Sequence, residues 1–170
     1  EQPAGDQNDA IEVIEVTARK TVESLQRVPV SVTSMSGAKL KNRGVETLAE
    51  VDQYSPNTSL QISTATNSTL SAFIRGVGQD DQLWGYEPGV GIYIDDVYVA
   101  RPQGAVLELL DIERIEILRG PQGTLYGKNT LGGAVKYITR KMTGDSEFSV
   151  FSTFGNYGRK DLKMTGQIPL

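Results

Sequence analysis

The stretch Ile112-Glu113-Arg114-Ile115-Glu116-Ile117-Leu118-Arg119-Gly120-Pro121-Gln122-Gly123-Thr124-Leu125-Tyr126-Gly127-Lys128-Asn129-Thr130-Leu131-Gly132-Gly133-Ala134-Val135-Lys136-Tyr137-Ile138-Thr139-Arg140 decides the fold. It holds two strand-like runs joined by a loop with five glycines, Gly120, Gly123, Gly127, Gly132 and Gly133. The first run, Ile112 to Arg119, mixes β-branched residues with charges, as a strand with one wet face does, and Ala134 to Arg140 repeats the pattern. Glycine costs conformational entropy, so this density implies positive φ angles or backbones that approach closely.

A glycine loop invites comparison with phosphate cradles, and spacing separates them. A Walker-type loop needs four residues between its glycines and then Lys-Ser or Lys-Thr. Here three residues separate Gly123 from Gly127, and Asn129 follows Lys128. Gly76-Val77-Gly78 and Gly89-Val90-Gly91 begin like dinucleotide fingerprints, but Asp81 and Ile94 stand where the third glycine is needed.

Three motifs do fit one pattern. Ile112 through Gly127 runs unbroken, followed by Asn129, Leu131-Gly132-Gly133-Ala134-Val135 and a strand ending Ile138-Thr139-Arg140. Upstream stand Phe73-Ile74-Arg75-Gly76 and Val90-Gly91-Ile92-Tyr93-Ile94-Asp95-Asp96-Val97-Tyr98-Val99. Together they resemble the plug domain of the TonB-dependent outer-membrane receptors. Asp96 replaces the glycine often found there; aspartate tolerates a left-handed turn at modest cost, so a hairpin is still expected. The resemblance implies an α+β fold with a small mixed β-sheet and short flanking helices.

At the N-terminus, Glu12-Val13-Ile14-Glu15-Val16-Thr17-Ala18 resembles the TonB box, a stretch that pairs as an added strand with the periplasmic protein TonB. High β-propensity behind a polar tail, Glu1 to Ala10, suits an extended and reachable strand donor. Read from the residues alone, an ordinary edge strand is the alternative.

The resemblance implies a machine that imports scarce nutrients, such as siderophore-bound iron, cobalamin or carbohydrate, across the bacterial outer membrane. Ligand binds at the outer face and the box becomes available to TonB. TonB, with its ExbB/ExbD motor, then transmits force from the inner-membrane proton gradient, and the plug shifts or partly unfolds. The plug would lie inside the barrel lumen with its box facing the periplasm, with no enzymatic activity and no cofactor. Regulatory members carry a signalling domain ahead of the box; if the chain starts at its mature N-terminus, a transporter without that relay is expected.

Composition agrees. The chain has 170 residues, 38% of them hydrophobic, enough for one domain with a modest core. It contains neither cysteine nor histidine, which removes disulfides, thiolate chemistry and most zinc sites. A net charge of −4 argues against nucleic acid as a partner. No apolar run approaches the ~20 residues of a membrane helix, and no secretory signal is seen, so for an exported protein this sequence is expected to begin after its cleavage.

Along the chain, residues 1–19 are expected to be a flexible N-terminus with the box, 20–144 the plug, and 145–170 the first strands of a barrel. Arg19 to Val28 reads as a linker and Val30 to Thr33 as a strand. Short helices are predicted over Ala38 to Asn42 and Val45 to Gln53. Leu60 to Thr69 reads as an extended loop, Ser71 to Arg75 as a strand, Gly76 to Gly89 as a polar loop, Gly91 to Val99 as a hairpin and Ala105 to Leu110 as a helical turn. Glu147 to Phe154 and Asp161 to Ile168 alternate around Gly155-Asn156-Tyr157-Gly158, as a transmembrane hairpin does. In the family this hairpin begins a roughly 22-stranded barrel. Two strands alone cannot close a barrel in lipid, and a surface hairpin of a globular domain is the alternative.

Catalysis finds no support. Ser36-Gly37-Ala38-Lys39 has the serine-to-lysine spacing of penicillin-binding enzymes but lacks their Ser-Asp-Asn and Lys-Thr-Gly partners. Asp80-Asp81 and Asp95-Asp96 are adjacent carboxylates, which in a strand point to opposite faces and in a loop are usually solvated. Asn57-Thr58-Ser59 and Asn67-Ser68-Thr69 match glycosylation sequons, irrelevant in a bacterial protein.

Charged residues that match the plug signatures, Arg75, Glu113, Arg114, Glu116 and Arg119, are the candidates for plug–barrel contacts. For ligand contact the candidates are Gln79, Asp80, Asp81, Gln82, Trp84 and Tyr86. Their loop, Gly78 to Glu87, combines three acids and the single tryptophan with no base. Such a loop favours neutral or cationic ligands, including sugars that stack on aromatic rings, over negatively charged ferric chelates. The rival from another class is a soluble α+β binding or interaction module unrelated to transport.

Overall fold

The computed structural model describes residues 14–63, 68–80, 85–101, 103–106, 109 and 111–169. Its strands are β1 (Glu15–Val16), β2 (Glu23–Ser24), β3 (Ser31–Ser36), β4 (Thr58–Ile62), β5 (Leu70–Ile74), β6 (Val77–Gly78), β7 (Val90–Ile94), β8 (Val97–Tyr98), β9 (Ile112–Arg119), β10 (Gly133–Thr139), β11 (Glu147–Phe154) and β12 (Lys160–Gln167). Between them lie the short helices α1 (Gly37–Asn42) and α2 (Gly123–Tyr126), with 3-10 segments at Leu48–Tyr54 and Asn156–Gly158.

The two runs that flank the glycine loop, β9 and β10, are antiparallel partners at the heart of a five-stranded sheet ordered β3-β9-β10-β7-β8. The β10–β7 pairing is parallel and the others are antiparallel, so the sheet is mixed, as expected. A second, three-stranded sheet is ordered β4-β5-β6; β1–β2 and β11–β12 form two-stranded pairs.

Period-two alternation sends Ile115, Ile117, Val135 and Tyr137 to one face, where they join Met35, Leu40, Leu48, Val51, Leu60, Ile74 and Ile92 in the main core. Each such aliphatic side chain contributes about 1.5–3 kcal/mol when fully buried. The opposite face carries Leu118, Ala134 and Tyr93, packed under Val16, Ala18 and Tyr126. Here the sequence expectation of one wet face fails. Glu116 and Lys136, which belong to that second face, are 0% and 1% exposed. The N-terminal segment covers them.

Other local differences have local causes. The segment predicted as helix over Val45 to Gln53 is a 3-10 turn at Leu48–Tyr54 that buries Leu48 and Val51. These residues are three apart, the repeat of a 3-10 helix. Leu60 to Thr69 begins as strand, because β4 runs to Ile62 and its buried Leu60 opposes Ala72 of β5. The supposed linker Arg19 to Val28 contains β2, and the supposed loop after Gly76 contains β6. Ala105 and Val106 are not helical; Leu107, Glu108 and Leu110 lie outside the described residues. The hairpin predicted at Gly91 to Val99 is present, with Asp95 and Asp96 at φ 46 and 67 in its two-residue turn.

The glycines of the 120–133 loop differ in what constrains them. A Cβ on Gly133 would overlap the Leu118 carbonyl oxygen, and its φ is +149. Gly123 begins α2 and would meet nothing within 4 Å. Gly133→Ala is therefore expected to lower the unfolding free energy by roughly 3 kcal/mol. Gly123→Ala should leave it within about 0.5 kcal/mol or raise it slightly. Equilibrium urea denaturation of the two variants measures the contrast.

Candidate functional site

The site is the place where the N-terminal segment crosses the central sheet. Glu15 and Val16 pair with Ser24 and Glu23 in a two-residue ladder, closed by an exposed Arg19–Glu23 pair. Val16 and Ala18 are buried against Leu118, Tyr126 and Ala134. Between them, Thr17 is bound through three of its atoms.

The Thr17 N–H donates to Glu116 Oε1 at 2.7 Å, and its hydroxyl donates to the same oxygen at 3.2 Å. Lys136 Nζ donates to the Thr17 carbonyl at 2.8 Å and to its hydroxyl at 2.9 Å. Glu116 and Lys136 are direct partners in the β9–β10 register, so the sheet sets the spacing of the two groups that grip Thr17. Each buried charge also has a second, opposite charge. Arg114 Nε donates to Glu116 Oε1 at 2.8 Å, and Asp96 Oδ1 lies 3.0 Å from Lys136 Nζ. Buried charges survive only when paired in this way, and each charge-assisted hydrogen bond contributes about 2 kcal/mol. Among the described residues, Glu116 Oε2 is the buried side-chain oxygen that has no hydrogen-bond partner.

Tyr126 closes the far side. It stands on α2, the single helical turn inside the glycine loop, and its hydroxyl donates to the Ala18 carbonyl at 2.8 Å. Tyr93 in turn donates to the Tyr126 carbonyl at 2.5 Å. Burial, followed by the charges of Asp96 and Glu116, pushes the Tyr126 phenol well above its ordinary value of 10.0. The fold therefore favours the protonated phenol. Its contribution is whole below the ordinary phenol range and declines as pH rises beyond about 10. Tyr126→Phe should lose about 1 kcal/mol at neutral pH and flatten the alkaline limb of stability, as read from thermal melts between pH 8 and 11.5.

The expected box is thus less free than its composition suggests. Glu12 and Val13 lie outside the described residues; Ile14 and Glu15 are exposed, but Val16 and Ala18 are buried and Thr17 is clamped. Apolar Val16 and Ala18 find a hydrophobic face within reach, which outweighs the entropy of a loose tail.

Among the candidates for plug–barrel contact, Arg75 is exposed, and Glu113 is exposed beside Arg114. Glu116 faces no outer surface, since the N-terminal segment covers it, and Arg114 is turned towards it. Arg119 donates to the Pro56 carbonyl at 3.1 Å and to the hydroxyls of Ser31, Thr33 and Ser55. It thereby ties β9 to β3 and to the start of β4. Burial and then the like charge of Arg75 pull its guanidinium below the ordinary value.

Of the ligand candidates, Gln79 is half-buried, and Asp80 and Tyr86 are exposed. Asp81, Gln82 and Trp84 lie outside the described residues. The loop without a base receives one from elsewhere: Lys128 of the glycine loop lies 2.5 Å from Glu87. Asp95 and Asp96 are not merely solvated. Asp95 accepts from the Thr139 N–H and hydroxyl at 2.9 and 2.7 Å, while Asp96 meets Lys136.

Sequence reasoning missed Lys136, Tyr126 and Tyr93. One signal was available for Lys136. It interrupts the apolar run Ala134-Val135-Tyr137-Ile138, and the antiparallel register brings it opposite Glu116.

Comparison with known proteins places this geometry. Residues 24–134 match the family model described as the TonB-dependent Receptor Plug Domain. The chain is 35% identical over 133 residues to the pesticin receptor of Yersinia enterocolitica, covering 75% of this chain and 19% of that protein. It is 27% identical over 145 residues to the vitamin B12 transporter BtuB of Vibrio vulnificus, covering 83% of this chain and 22% of that protein. The crystal structure of the ferric yersiniabactin uptake receptor FyuA from Yersinia pestis superposes with a TM-score of 0.60 at 29% identity, over 75% of this chain and 22% of that one. The chain belongs to the TonB-dependent receptor plug family, whose members lie within the barrels of outer-membrane receptors. It spans about a fifth of the length of these curated relatives. Membership sets aside the unrelated interaction module.

Proposed function

We propose that this chain is the gate of a TonB-dependent active transporter that brings a scarce nutrient across the bacterial outer membrane, and that residues 12–18 are where TonB adds its strand. The attachment of Ile14 to Ala18 carries the proposal. It consists of a two-residue ladder, two small apolar anchors and a polar clamp at Thr17. A segment held this way opens locally for a fraction of the free energy of global unfolding. Tension delivered by TonB, energised through ExbB/ExbD, then peels it from the central sheet while the main core beneath β9 and β10 stays packed.

The same reading assigns the surroundings. Arg75 occupies a two-residue turn at φ 53, a conformation that costs a residue with a Cβ about 1 kcal/mol. Its exposed charge suits contact with an enclosing barrel; Glu113, exposed but paired with Arg114, is the second candidate, while Arg114 and Arg119 serve mainly inside the plug. Phe148, Val150 and Phe154 of β11 and Leu162 and Met164 of β12 are exposed. Their positions alternate with the inward Ser149–Thr165 pair, as the lipid and lumen faces of a first barrel hairpin do.

For cargo, the ferric yersiniabactin and vitamin B12 relatives favour an iron chelate or cobalamin. Carbohydrate is the second reading and rests on exposed Tyr86 and on Trp84 two positions earlier in the sequence. Titration of the intact receptor with ferric siderophores, cobalamin and sugars is expected to give micromolar or tighter binding for a ligand of one of the first two classes; sugar binding abolished by Trp84→Ala would reverse that order.

The gate itself is tested by capture of TonB's periplasmic domain on the full-length receptor with its ligand present. Replacing Glu15 and Val16 together by Pro removes one ladder donor from each edge of the strand. Capture is expected to fall at least about tenfold; capture that survives the double change shows that TonB binds elsewhere.

A further inference from the structure

We propose that Glu116 and Lys136 stand in for a neighbouring β-strand along the outer edge of the box segment, so that TonB and the plug's own sheet compete for the same backbone groups of Thr17. The inference rests on the reading of residues 12–18 as the TonB-binding segment.

Within a strand, each residue turns its N–H and C=O to one side, and successive residues alternate sides. Ile14 faces β2, where its carbonyl accepts the Leu25 N–H at 2.9 Å. The backbone groups of Glu15 and Thr17 therefore face the opposite edge. Among the described residues β1 pairs with β2 alone, so no strand lies along that edge. The sheet meets it at Thr17 with one acceptor and one donor, the Glu116 carboxylate on the N–H at 2.7 Å and the Lys136 ammonium on the C=O at 2.8 Å, while that C=O also closes a turn by accepting the Lys20 N–H at 2.9 Å and receives the Tyr126 hydroxyl at 3.4 Å. An added strand would offer the same pair, a carbonyl oxygen and an N–H, to the same two groups.

The imitation is stable because both side chains are buried and held at fixed spacing by the β9–β10 register. It is also self-limiting. Strand addition at this edge must take both Thr17 bonds from the sheet, which leaves the Glu116 carboxylate with Arg114 alone and the Lys136 ammonium with Asp96 alone. Idle TonB is thereby kept off the box. Once TonB has the edge, the central sheet has lost the cover of its second face. Recognition of the box and loosening of the plug become one event.

The test uses the full-length receptor in detergent with the purified periplasmic domain of TonB. Glu116→Leu combined with Lys136→Met removes both surrogate groups without stranding either charge, a replacement that buried ion networks often tolerate. Thr17→Val keeps both charges and the Thr17 backbone, and removes only the hydroxyl links. Two quantities are read, the hydrogen-exchange rate of the Thr17 amide without TonB and the Kd for TonB. The double variant is expected to raise the exchange rate and tighten TonB binding by about tenfold or more each, with a smaller rise in both for Thr17→Val. Faster exchange with unchanged Kd overturns the competition while leaving the box reading intact. Unchanged exchange in either variant overturns the clamp itself. Failure of the wild type and both variants to bind TonB, with nutrient present, brings down the box reading and this inference with it. If the double variant does not fold, Thr17→Val decides alone by the same two readouts.

Discussion

Two opposite charges, Glu116 and Lys136, face each other across the central strand pair with almost no access to water. Everything around them answers to that constraint. A carboxylate and an ammonium in a low-dielectric interior need partners of opposite sign and hydrogen bonds for their remaining valences. Arg114 and Asp96 supply the charge, and the backbone of Thr17 supplies much of the rest. The plug thus binds its own N-terminal segment because its central sheet requires it.

The glycine loop makes this arrangement possible. By letting the backbone of Gly133 approach Leu118, it sets β10 against β9 in the one register that opposes Lys136 to Glu116. It also projects α2, and with it Tyr126, over the N-terminal segment. Of the glycines that first suggest ligand chemistry, Gly133 is a matter of strand registration. The parallel β10–β7 pairing completes the frame, since the β7–β8 turn then brings Asp96 to Lys136 and Asp95 to Thr139.

Much of the fold was legible in the residues. The β9, β10 and β7–β8 segments, α1 and the C-terminal hairpin follow from alternation, turn chemistry and caps, all of which act over a few positions. The missed strands share one cause. The β2, β4 and β6 segments are short runs with weak alternation of their own, whose strand character comes from pairing with the neighbouring strands β1 and β5, and propensity read along one run carries no information about that pairing. The same holds for the site. The box segment was visible as a β-rich run, but its clamp joins Thr17 to residues about a hundred positions away. Of the charges marked for outward contact, Arg75 remains at the surface, while Glu116 is interior because a segment outside β9 covers it.

The sequence by itself determined the family, the mixed α+β character and the absence of histidine and cysteine chemistry, because dense local motifs and composition suffice for these. Only the tertiary structure decided which charges are buried and what they hold. A strand pattern states that two faces alternate; whether the second face meets water or another piece of the chain depends on packing that no local period encodes. That single fact turns a segment expected to be loose and accessible, Val16 to Ala18, into a clamped one.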